Sequence, residues 1–208
     1  MNKQTASPVV VWDLPVRVLH WLIVICVGVS WWSAEQRLME VHRYSGYALL
    51  GCIVFRLYWG FAGSSTARFV EFARGPPTHA PAGHNPLGGW SVVALLALLL
   101  VQVTLGLFVT DIDGLESGPL SYLVSFETSR LLADAHEIVF NVLLGFVVLH
   151  IVAVFFYLLV RRTNLIGAML TGRRPAASVG THATLVSLWR IVPGLALAGL
   201  AVWYVARQ

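Results

Sequence analysis

The sequence predicts an all-α integral membrane protein, a four-helix transmembrane bundle with a fifth hydrophobic helix at its C-terminus. Three observations carry that expectation. Of 208 residues, 57% are hydrophobic and only 12% charged, whereas a soluble domain carries about a quarter charged residues. The mean hydropathy is +0.74. The apolar residues gather into five stretches near the roughly 20 residues that cross a bilayer: Val16–Trp32, Tyr44–Gly63, Leu87–Val109, Ala135–Leu159 and Leu185–Ala206. The charges between them sort by sign on alternating sides, as in proteins that obey the positive-inside rule. Such a composition excludes disorder. A net charge of +4, from 14 basic and 10 acidic residues with no basic run, predicts membrane lipid and no nucleic acid as surroundings.

Each stretch has its own signals. The first follows Lys3 and Arg17 like a signal peptide, but Trp31, Trp32 and Glu35 stand where the small residues of a cleavage site belong, so it reads as a retained span. The second opens just after His42. Before the third, Gly75-Pro76-Pro77 and Pro81-Ala82-Gly83 break the chain, and Asn85-Pro86 reads as an N-cap with proline at the first helical position. The fourth runs between His136 and His150. The fifth carries Arg190 and Pro193-Gly194 and reads either as a span or as an interfacial or partner-docking helix. Residues 1–172 are thus expected to form the four-helix domain, and 173–208 a linker and the fifth helix. Cys26 and Cys52 both fall inside spans, where small apolar core roles are expected.

One side of the membrane receives Lys3, Arg17, Arg68, Arg74, Arg161, Arg162, Arg173 and Arg174 against Asp13 and Glu71. The other receives Asp111, Asp113, Glu116, Glu127 and Asp134 against Arg130, with Glu35 and Glu40 beside Arg37 and Arg43. The basic side, with the N-terminus, is predicted to be cytoplasmic.

Four of the seven histidines, His20, His42, His136 and His150, lie at the ends of spans. An ionisable residue there points to function by default, although each alone reads equally as an interfacial histidine. Spacing decides between the two. His136 and His150 are 14 positions apart, a rise of about 21 Å and four turns less about 40°, so they share a helix face near opposite surfaces. His20 lies at the inner depth and His42 at the outer. Depth therefore pairs His20 with His150 and His42 with His136. Two histidines facing each other across a bundle are how a six-coordinate haem is held, and two levels suit two haems b. Zinc would want three or four convergent ligands. The absence of a CxxCH motif excludes covalent c-type haem.

Neighbouring residues suit the same reading. Gly46, one turn after His42, leaves room for a macrocycle or for close helix packing. Arg56, 14 positions after His42, is expected to meet propionates or to snorkel. Arg17 and Arg43 are further propionate candidates. Trp12, Trp21, Trp31, Trp32, Trp59 and Trp90 fit an aromatic belt. His79 and His182 read as loop residues, while His84, beside the Asn85-Pro86 helix start, is placed to donate to a quinone.

The segments Val11–Trp21 (VWDLPVRVLHW), His42–Tyr47 (HRYSGY), Phe55–Phe61 (FRLYWGF), Gly83–Gly89 (GHNPLGG) and the His136/His150 helix resemble the bacterial cytochrome b561 family, which is similar to the b-type membrane subunits of nickel-iron hydrogenases and formate dehydrogenases. The resemblance covers roughly 11–172. It implies four helices holding two haems b by bis-histidine ligation at His20, His42, His136 and His150, in a bacterial inner membrane, with electrons passing between the quinone pool and a partner redox protein or an oxidant such as superoxide. This chain departs from the family in having Glu137 where many members have a second histidine, and in its fifth stretch.

The function expected is that of a membrane electron carrier between quinone or quinol and a partner such as a periplasmic cytochrome c, with quinol oxidoreductase activity left open. The alternative is a non-catalytic anchor subunit of a larger dehydrogenase or hydrogenase. A haem-free channel or scaffold is the competing class. A homodimer is compatible with any of these.

Overall fold

The computed structural model describes residues 8–70, 86–175 and 184–208. Along the chain they form β1 (Pro8–Val10), α1 (Leu14–Glu35), α2 (Met39–Ala62), α3 (Pro86–Gly106), α4 (Phe126–Leu159), α5 (Leu165–Thr171), β2 (Arg173–Pro175) and α6 (Ile191–Ala206). The chain is an all-α multi-pass membrane bundle. Five helical segments are long and apolar enough to cross a bilayer, including 188–206, where the short 3-10 turn Leu188–Arg190 leads into α6.

Helices α1 and α4 begin earlier than their apolar stretches because polar caps, not hydropathy, set their starts. Asp13 caps α1 by accepting from Val16 N. Ser125 caps α4, taking Thr128 N at 3.2 Å, so α4 starts nine residues before Ala135 and His136 lies well inside the helix rather than at its head. Helices α1 and α2 form a tight antiparallel hairpin. Its turn puts Arg37 in the left-handed region (φ 57°), with Leu38 N returning to Ser33 O at 2.8 Å. Pro86 is the first residue of α3, while its expected cap, Asn85, lies outside the described residues.

Close packing joins α1 to α2, α2 to α3, α3 to α4, and α6 to α2; α4 does not pack closely on α1 or α2. One buried cluster (Val11, Trp12, Val16, Leu19, Phe55, Trp59) closes the N-terminal end, and a second (Leu49, Leu50, Ile53, Leu99, Val103, Leu143) fills the middle. Outward-facing Val24, Ile25, Val101, Leu149, Val152, Leu195 and Leu200 are exposed and form the lipid surface.

Small residues seat the fifth helix. Gly194 leaves so little room that a Cβ would come 2.6 Å from Tyr58 Cδ1, and one at Gly51 would touch Val202. Tyr58 Oη donates to Arg190 O (3.0 Å), and Arg190 Nη1 to Ala62 O (3.2 Å). Gly194→Leu should lower the thermal midpoint in detergent by overpacking, with a cost of about 1–3 kcal/mol. An unchanged melt would show that the seam contributes nothing.

Three short elements, α5, β1 and β2, have no counterpart among the sequence expectations. Asn164 caps the short α5 through Gly167 N (2.7 Å), and Gly172 ends it at φ 78°. Strands β1 and β2 then pair antiparallel, Val9 opposite Arg174 and Val10 opposite Arg173. Three-residue strands carry too little pattern to stand out; only their partner makes them strands.

Candidate functional site

The site is built on a polar knot at the N-terminal end of α1. Asp13 is buried; beyond capping α1 it accepts from Trp59 Nε1 (2.9 Å) and Ser64 Oγ (2.5 Å), tying α1 to α2 and the segment after it. Arg56, 6% exposed, lies in the field of the Asp13 carboxylate, donates to Ala67 O (3.2 Å) and sits over the Phe69 ring. Arg17 Nη1 reaches Thr171 O at 3.2 Å. These contacts fix the height and rotation of α1.

Four histidines then meet across the gap between α4 and the α1–α2 hairpin. The His20 and His150 rings face each other with centroids 6.5 Å apart, and those of His42 and His136 are 6.3 Å apart. A metal–imidazole bond of about 2.0 Å, plus roughly 1.1 Å from nitrogen to ring centre on each side, would put two imidazoles that share a metal about 6.2 Å apart. Both pairs thus stand at the spacing of two axial ligands on one metal. Buried Leu143 lies midway between His136 and His150 on α4 and separates the levels with apolar side chains.

The pair His42 and His136 is oriented by its surroundings. His42 Nδ1 lies 2.8 Å from Ser30 O, and His136 Nδ1 3.0 Å from Gln102 O. A carbonyl only accepts, so both protons sit on Nδ1 and both Nε2 atoms carry the lone pair, that of His136 accepting from the Gln102 amide, a bond it would exchange for a metal. Ser30 Oγ also meets Ser45 Oγ at 2.6 Å, and Ser45 donates to His42 O, locking the hairpin around the ring. At the inner pair, His20 Nδ1 is buried without a hydrogen-bond partner, the kind of orphaned atom a bound group or water must satisfy.

Gln102 was not among the sequence candidates. It is buried, its Nε2 lies 3.1 Å from His136 Nε2, and its Oε1 has no partner. A lone carboxamide in an otherwise apolar span was the available signal. Gly106, one turn on, makes room for the ring: a Cβ there would lie 3.0 Å from His136 Cε1.

Of the other candidates, Gly46 faces open space, with no atom within 4 Å of where a Cβ would stand. Arg43 pairs with Glu116 at 3.7 Å and stays partly exposed. Arg17 and Arg56 serve the N-terminal knot. His79, His84 and His182 lie outside the described residues. Among the described residues no three His, Cys, Asp or Glu side chains cluster to hold a metal ion.

Residues 11–172 match the family model described as prokaryotic cytochrome b561. The chain belongs to the prokaryotic cytochrome b561 family. No curated protein and no solved structure matches it. Membership in the prokaryotic cytochrome b561 family implies binding of haem b and electron transfer in a membrane. The matched stretch holds α1 to α5 and all four facing histidines, while α6 and β2 lie beyond it.

Proposed function

We propose that this b561-family chain holds two haems b, one between His20 and His150 and one between His42 and His136, and carries electrons between the quinone pool and a partner redox protein, such as a periplasmic cytochrome c. The observation that carries this reading is the pair of imidazole couples at axial-ligand spacing. Haem b, when bound, would supply one-electron redox chemistry, with the four histidines as the residues that would hold it. The chain does the rest. Ser30 O and Gln102 O hold the outer imidazoles in the ligating tautomer, Leu143 and its neighbours exclude water between the levels, and Gly46 gives a macrocycle access to α2. Arg43 is proposed to meet the propionates of one haem and Arg17 and Arg56, from the edge of the N-terminal knot, those of the other, with His84 proposed as a donor to quinone.

Charge placement supports an N-terminus on the cytoplasmic side of a bacterial inner membrane. Arg68, Arg161, Arg162, Arg173 and Arg174 share its side, while on the far side Arg43 and Arg130 are neutralised by Glu116 and Asp134. Exposed Ile112 and Leu115 in the acidic far loop favour a protein contact there, so a second reading is an anchor subunit of a larger dehydrogenase or hydrogenase. Quinol-driven reduction of the isolated chain tests the carrier, and co-purification of a stoichiometric catalytic subunit tests the anchor. Dithionite reduction should give a b-type α-band; a colourless preparation would overturn both readings.

Gly46→Leu should fill the space beside His42 and reduce the haem content by about one per chain while His42 itself is untouched. A haemochrome assay reads the result. Full haem content in this variant would mean that the macrocycle does not use that face.

A further inference from the structure

Where α4 leaves its span at Leu159, the chain builds a pocket of about 400 Å³ lined by Arg162, Arg173, Arg174, Asn164 and Thr171, among others. Arg162 and Arg173 are exposed and Arg174 is half-buried. Among the described residues no carboxylate lines the pocket, and neither ion pair found among those residues includes these arginines. Topology does not require this arrangement. The positive-inside rule is satisfied by arginines spread anywhere on the basic side, whereas gathering three around one cavity costs mutual repulsion unless an anion fills it.

The arginines are also held in place. Arg173 and Arg174 are fixed by pairing with Val10 and Val9. Arg162 is held at φ 52° at the end of α4, where Thr163 N returns to Tyr157 O at 2.8 Å. Both strands lie outside the stretch matched by the family, 11–172, so Arg173 and Arg174 come from segments that flank the match, while Arg162, Asn164 and Thr171 lie within it.

We propose that this pocket binds a phosphate group, presented by the headgroup of an anionic phospholipid. Its position at the end of a span puts the arginines at headgroup depth, where guanidinium forks match phosphate oxygens. The same chemistry would take free inorganic phosphate, so the two sources are tested separately.

Native mass spectrometry of the full chain in mixed micelles with equal phosphatidylglycerol and phosphatidylcholine reads the preference directly. The unaltered chain should retain phosphatidylglycerol. Each arginine near an anionic surface contributes a factor of about five, so Arg162→Gln/Arg173→Gln/Arg174→Gln should lose roughly a hundredfold in that preference. Arg162→Gln alone, which leaves the sheet intact, should lose about fivefold. Arg37→Gln/Arg207→Gln, at the other end of the bundle, should lose nothing. Displacement by millimolar inorganic phosphate would assign the site to the free ion and overturn the lipid source; retention against it supports the headgroup. Equal lipid and phosphate binding by the unaltered chain and the triple variant, or an equal loss in the control pair, would overturn the pocket. Circular dichroism and thermal melts establish that the variants are folded.

Discussion

Replacing His136 with leucine should take the haem content from about two per chain to about one and leave the inner centre spectrally intact. The reason is geometric. His136 faces His42 at 6.3 Å, while His150, 14 positions along the same helix, faces His20, so the two couples share a helix but no ligand. On the proposed ligation, His42 alone of that pair would remain to hold a haem once His136 is gone. His20→Leu should do the converse. Haemochrome quantitation with a redox titration reads both variants: one component should vanish and the other keep its potential. Loss of both centres with an unchanged melt, or of neither, would refute the two-level arrangement.

The second large effect should come from a residue that touches no cofactor. Asp13→Ala removes the cap of α1, leaves Trp59 Nε1 and Ser64 Oγ without their acceptor, and strips buried Arg56 of its counter-charge. Breaking one side of such a buried network costs about 3–5 kcal/mol. Asp13→Asn keeps a competent cap and one acceptor oxygen and should cost less. Thermal unfolding in detergent should rank the three proteins in the order wild type, Asn, Ala. Equal midpoints would show that the knot is not what holds the end of α1.

The histidine levels were legible in the sequence because depth is a one-dimensional property. A count along an apolar run gives height in the bilayer, and 100° per residue gives the shared face of His136 and His150. The reading of Arg56 shows where this stops. Its spacing from His42 gives a position along α2, yet its buried environment comes from Asp13 and the chain around Ala67 and Phe69, which no periodicity on α2 encodes. Gln102 was missed for a related reason. A polar residue in a span signals a partner, but which histidine it meets depends on how α3 is rotated against α4.

The sequence by itself determined four spans and a fifth apolar stretch, their alternating charge and the two depths at which histidines can pair, because hydropathy, charge and helical periodicity are local. Tertiary structure alone decided what surrounds those histidines: the carbonyls of Ser30 and Gln102, the gap between α4 and the hairpin, the seat of α6 on α2, and the strand pair that gathers three arginines. Each is a contact between segments far apart in the chain. Its energy depends on the distance and orientation reached after packing, and those exist only once the helices are in place.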